Sequence, residues 1–262
     1  MLPNVLCIGA QKCGTTALYA RFASHPECSV VAGFKEPHFF VSEGPWPIGN
    51  WHRGVEWYES LFPPAKVAAD ICPSYAAAPI YPGAAERAAE VVPGALIVYL
   101  VRDPIERIAS HWMHFRSRGY ERRPFRDAVL APGDDNAYLA GSRYGTQLAI
   151  WREHYPPERI LVLEQRAIAE GADEEIWRRL GLDPPGRASE RHNVSADLTE
   201  PRVLDRLPGP LRRVVPARVR RRLIERPLLD LELRARLHAE LDEDIARFNR
   251  LCGVRLAGWP VV

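Results

Sequence analysis

Between Ile8 and Leu18 the chain reads IGAQKCGTTAL. Gly9 and Gly14 have the G-x-x-x-x-G spacing of a loop whose backbone N–H groups converge on a phosphate. The lysine is displaced, however. An ATP-binding loop carries it directly after the second glycine, where this chain has Thr15, and Lys12 lies inside the loop instead. There it would reach the bridging oxygen at the far end of a 5′-phosphate substituent. Cys13 fits as a small residue in a tight turn, and Thr15 and Thr16 add hydroxyl donors beside Gly14. A second basic group, Arg102, directly follows the apolar run ALIVYLV. A guanidinium fork at a strand end suits an anion better than a cation, and no plain magnesium-holding acid stands in its place. Ser110 and His114 are four residues apart and share one helical face. KEPHFF (35–40) brings together Lys35, Glu36 and His38, which read alone as a turn leading into core phenylalanines.

These groups need elements to position them. VLCI before Gly9 reads as a buried parallel strand, and Thr15-Thr16 opens a helix that stops before His25-Pro26. Further strands are expected at 28–32, 66–71, 95–101 and 159–165. Asp70, at the end of its strand, is placed where open sheets bind ligands and is expected to face an acceptor, with a loop cap as the alternative. Helices are expected over 82–92, from Pro104 to about Arg116 with Asp103 as N-cap, and over 138–155, 174–180 and 231–249. Alternating strands and helices predict an α/β fold, a P-loop-like parallel sheet with helices on both faces, in one domain spanning 1–262.

The net charge of +2 gives no argument for nucleic acid. No apolar stretch approaches the ~18 residues needed to span a bilayer. Five cysteines without a C-x-x-C pair indicate neither a zinc site nor a disulfide framework. A reduced, cytoplasmic protein without a metal is therefore expected. Only three lysines occur, Lys12, Lys35 and Lys66, in a chain otherwise rich in arginine. Two of them fall in the stretches singled out above, as if a compact ammonium were required there.

Taken together, IGAQKCGTTAL resembles the 5′-phosphosulfate loop of sulfotransferases that use 3′-phosphoadenosine-5′-phosphosulfate (PAPS). VYLVRDPIERIASHWMH (98–114) resembles their 3′-phosphate motif, and KEPHFF the catalytic segment of the heparan-sulfate-type branch. DICPSYAAAP (70–79), RYGTQLAIWREHYPPERILVL (143–163) and FNRLCGVRLAGW (248–259) agree in order, so the similarity covers nearly the whole chain. The resemblance implies a soluble bacterial member acting on a small acceptor, a secondary metabolite, glycolipid or saccharide. It implies that residues 12–16 hold the 5′ end of PAPS and that Arg102 and Ser110 hold its 3′-phosphate. Glu36 matches the general base, with His38 as the fallback, and His114 matches a histidine near the transferred group. Lys12 would stabilise the leaving phosphate, while Lys35 and His38 would tune the base or touch the acceptor.

The chain departs from that branch in lacking its cysteine-bridged hairpin. ERHNVSADLTEPR (190–202) is the expected substitute lid, with Arg191 or Arg202 reaching the nucleotide. Nine arginines between 202 and 226 would attract an anionic acceptor or a membrane surface. A nucleotide kinase and a non-catalytic PAPS-binding module are the rival readings.

Overall fold

Five short apolar runs become the strands β1 (Val5–Gly9), β2 (Cys28–Val30), β3 (Val67–Ile71), β4 (Leu96–Val101) and β5 (Ile160–Glu164). They form one sheet in the order β2-β3-β1-β4-β5, with every pairing parallel. The computed structural model describes residues 1–186, apart from 32, 43, 134 and 135, and residues 227–252. The lid and arginine-rich segments expected at 190–226, and residues 253–259 of the last motif, lie outside the described residues.

β1 is the middle strand. From it the chain moves to one edge through β2 and β3, then crosses to the other side for β4 and β5. The topological switch therefore falls between β1 and β4, where loops diverge and leave a crevice at the carboxyl ends. Both strands are buried along their whole length, as parallel strands covered on both faces must be.

Ten helices cover the sheet on both faces among the described residues: α1 (Thr15–Ser24), α2 (Gly54–Ser60), α3 (Ala84–Val91), α4 (Pro104–Ser117), α5 (Phe125–Val129), α6 (Ala137–Ala140), α7 (Tyr144–His154), α8 (Gln165–Glu170), α9 (Glu174–Leu180) and α10 (Leu231–Cys252). α1 packs on β2 and β3, whereas α7 packs with α3 and α10. α4 starts as its sequence predicts: Asp103 accepts from the Glu106 N–H at 2.8 Å, and Pro104 occupies the first turn.

The helix expected over 138–155 is interrupted between α6 and α7. The cause is Arg107, which is wholly buried. Its Nε donates to Ser142 Oγ at 2.6 Å and its Nη2 to the Tyr138 carbonyl at 2.5 Å. A Cβ on Gly141 would sit 2.7 Å from Arg107 Nη1. The chain bends there because a buried guanidinium must have its donors satisfied.

α10 braces the start of α7. The Asp244 carboxylate accepts from the Gly145 and Thr146 N–H groups and from Thr146 Oγ1, each at 2.7 Å. It thus caps α7 from a neighbouring helix, where negative charge is favoured. The backbones approach closely: a Cβ on Gly145 would lie 2.3 Å from the Asp244 carbonyl oxygen and 2.8 Å from the Phe248 nitrogen. Neither obstacle is a flexible side chain, so Gly145→Ala is expected to cost about 3 kcal/mol and to lower the melting temperature measured by circular dichroism.

Candidate active site

The loop after β1 carries the donor groups foreseen in it. Lys12 has φ 69° and Gly14 φ 88°, a left-handed pair in five residues. Such reversals turn successive N–H groups toward one side, the geometry of an anion nest. α1 then begins with no side-chain cap; the Ala17 N–H turns back to the Gly14 carbonyl at 2.9 Å, which leaves the Thr15 and Thr16 N–H groups for an outside acceptor. Cys13 is buried, with Sγ 3.6 Å from Tyr144 Oη at the head of α7. Burial pushes its thiol up, so it props the loop and is not a thiolate.

Across the crevice, Arg102 leaves β4 and its Nη1 donates to the Lys12 carbonyl at 3.3 Å. It also faces Glu106 at 3.8 Å. The loop after β1 and the arginine after β4 are therefore joined at the switch point. Ser110 lies half-buried one turn before His114 on α4.

The electrostatics show what the crevice is short of. Lys12 is held below its usual range by burial and then by Lys35, Arg102, Arg107 and Arg118. His114 is lowered to about 4 by burial, Lys12 and Arg118, against the opposing pull of Glu36. Nothing in the sequence near Arg107 marks it out, because one more arginine in an arginine-rich chain carries no local signature. Cations gathered this way repel one another unless a multiply charged anion sits among them. The residues thus fit a ligand with phosphate and sulfate groups.

KEPHFF divides between the core and the crevice. Phe39 and Phe40 are buried, with Phe39 stacked 4.1 Å from Tyr58. Asn50 Nδ2 donates to the Pro37 carbonyl at 2.8 Å, and the Phe39 N–H donates to Tyr75 Oη at 3.0 Å. The polar residues before them face the loop. Lys35 Nζ donates to Glu36 Oε1 at 2.9 Å and to Thr15 and Thr16 Oγ1 at 3.2 Å each. His38 Nε2 stands 3.8 Å from Glu36 Oε2, and its Nδ1 is 3.3 Å from Cys72 Sγ. Burial lowers the His38 imidazole, with Glu36 and Lys35 pulling in opposite senses. Glu36 is 31% exposed and therefore open to a second reactant.

Asp70 does not face the crevice. It is wholly buried, and its Oδ2 accepts from Tyr58 at 2.6 Å and Tyr75 at 2.7 Å. It is a support beneath KEPHFF, reaching that segment through Tyr75. Burial pushes its carboxyl from an ordinary 3.8 up to about 7, against the two tyrosine bonds and with Glu36 adding to the rise. A carboxyl raised in the folded state contributes stability that is complete below its ordinary value and lost as pH climbs through the raised one. Unfolding free energy measured in urea is expected to fall between about pH 4 and about pH 7. Asp70→Asn should flatten that slope.

Known proteins resemble this chain in sequence and in fold. A sulfotransferase domain model matches residues 2–178, which include the loop, KEPHFF and Arg102. The chain is 31% identical over 205 residues to human bifunctional heparan sulfate N-deacetylase/N-sulfotransferase 3, covering 72% of this chain and 23% of that one. It is 30% identical over 205 residues to mouse bifunctional heparan sulfate N-deacetylase/N-sulfotransferase 4, with the same coverage. The chain thus spans less than a quarter of the length of these curated relatives. The crystal structure of a sulfotransferase from Alicyclobacillus acidocaldarius matches 99% of each chain with a TM-score of 0.71 at 22% identity, a likeness of fold. With a family model running through both cationic ends of the crevice, the chain belongs to the sulfotransferase family, whose sulfuryl donor is PAPS.

Proposed function

We propose that this protein moves the sulfuryl group of PAPS to a hydroxyl or amine of a small acceptor, with Glu36 as general base. The observation that supports it most is the joined pair of cationic ends, Lys12 with the α1 N-terminus on one side and Arg102 on the other. A ligand with a 5′-phosphosulfate and a 3′-phosphate needs two such ends. Among the described residues, no three His, Cys, Asp or Glu side chains gather to hold a metal ion, and no helix is long and apolar enough to cross a membrane. Five free cysteines favour a cytoplasmic setting.

When bound, PAPS supplies a sulfuryl group on a phosphate leaving group. Lys12, the first-turn N–H groups and the Thr15 and Thr16 hydroxyls hold that phosphate, while Arg102 and Ser110 hold the 3′ end. Lys12 neutralises the charge that grows on the phosphate oxygen as its bond to sulfur breaks. Glu36 accepts the proton released as the acceptor oxygen or nitrogen bonds to sulfur. Burial, Lys12 and Arg118 hold the His114 imidazole toward its neutral form, in which it would offer the sulfuryl oxygens a hydrogen bond and no added charge. Positioning and electrostatics supply most of the acceleration in a loose transfer of this kind.

Two measurements test this reading. 3′-Phosphoadenosine-5′-phosphate should raise the melting temperature, while ATP with magnesium should not. An equal response to both would point to a kinase. Glu36→Gln should lower kcat by about 10²–10⁴-fold while still binding the nucleotide. Unchanged turnover in that variant would remove Glu36 as the base.

A further inference from the structure

One ammonium serves both halves of the reaction centre. A lysine has three N–H donors and no acceptor, and Lys35 directs its donors to three oxygens: Thr15 Oγ1, Thr16 Oγ1 and Glu36 Oε1. The two threonines stand at the seat of the donor phosphate. Because each hydroxyl accepts from Lys35, its own proton stays free to donate onward. The ammonium thereby polarises both hydroxyls and strengthens their donation to whatever anion the loop holds. Lys35 and Glu36 are 22% and 31% exposed, so their pair is shielded in part from solvent. Lys12 lies within Coulombic reach of Lys35. Without an anion in the loop, that repulsion favours Lys35 staying on the carboxylate.

From this geometry we infer that Lys35 couples donor binding to the base. An anion in the loop compensates Lys12, draws the Lys35 ammonium toward the threonine hydroxyls, and uncovers Glu36 for the acceptor proton. The carboxylate and the nucleotide thus compete for a single cation. Until the donor is in place the ammonium occupies Oε1 of the base, which favours donor binding before acceptor binding. The inference rests on the donor-binding reading above.

The test needs no acceptor. Calorimetric titration with 3′-phosphoadenosine-5′-phosphate would compare the parent, Lys35→Gln, Glu36→Gln and the double variant. Loss of the charged donor in Lys35→Gln should weaken binding about tenfold, and Lys35→Arg should restore part of it. Glu36→Gln releases the lysine and should tighten binding about threefold. That gain should vanish in the Lys35→Gln background, because the competition has lost its object. Melting temperatures without nucleotide identify any variant that is misfolded, and Lys35→Arg then carries the comparison. An equal effect of Glu36→Gln in both backgrounds, or unchanged affinity in Lys35→Gln, would overturn the coupling and leave donor binding standing. A parent protein that does not bind the nucleotide would remove the donor reading, and the coupling with it.

Discussion

Lys35, Arg102, Arg107 and Arg118 all act on Lys12 at the end of β1, and like charges so gathered must be held there by the fold. The sheet order does this. Because β1 and β4 are neighbours at the switch point, the loop after one and the arginine after the other have nowhere else to go. Among the described residues Arg107 is held by the Ser142 hydroxyl, the Tyr138 carbonyl and the His111 ring, and by no carboxylate. Neutral partners of this kind satisfy its donors without cancelling its charge. The field in the crevice is thus left for a ligand to use.

The two histidines fit the same logic. Both His38 and His114 are driven toward the neutral imidazole chiefly by burial. A charged imidazole would add to the mutual repulsion. A neutral one contributes an orientable dipole, and His114 gains one on the same helical face as Ser110.

What was legible in the sequence is what depends on near neighbours. The loop, the Asp103 cap and the arginine after β4 are each encoded within a few residues, and the structure has them as read. Asp70 was placed wrongly because its surroundings come from elsewhere: Tyr58 belongs to α2 and Tyr75 to the loop after β3, and together they close over it. The 138–155 helix was read as continuous because nothing nearby announces a guanidinium from α4 beneath Gly141. Lys35, read from the KEPHFF motif alone, points toward the base or the acceptor. Its reach to Thr15 and Thr16 depends on how the connection from β2 runs back over α1, which no local pattern specifies. KEPHFF divides in two: Phe39 and Phe40 are core, while Lys35 reaches the loop after β1.

The brace between α7 and α10 bears on how the molecule is made. Cys13 touches Tyr144, 131 residues further along the chain, and the neighbouring Gly145 is capped by Asp244 after another 99. On a ribosome, β1 and its loop emerge long before either support. The sheet can begin to assemble early, but the last prop of the anion loop arrives only when α10 does. Until then the nascent chain carries a cluster of basic groups whose geometry is not yet held, and competence to grip an anion is among the last properties this fold acquires.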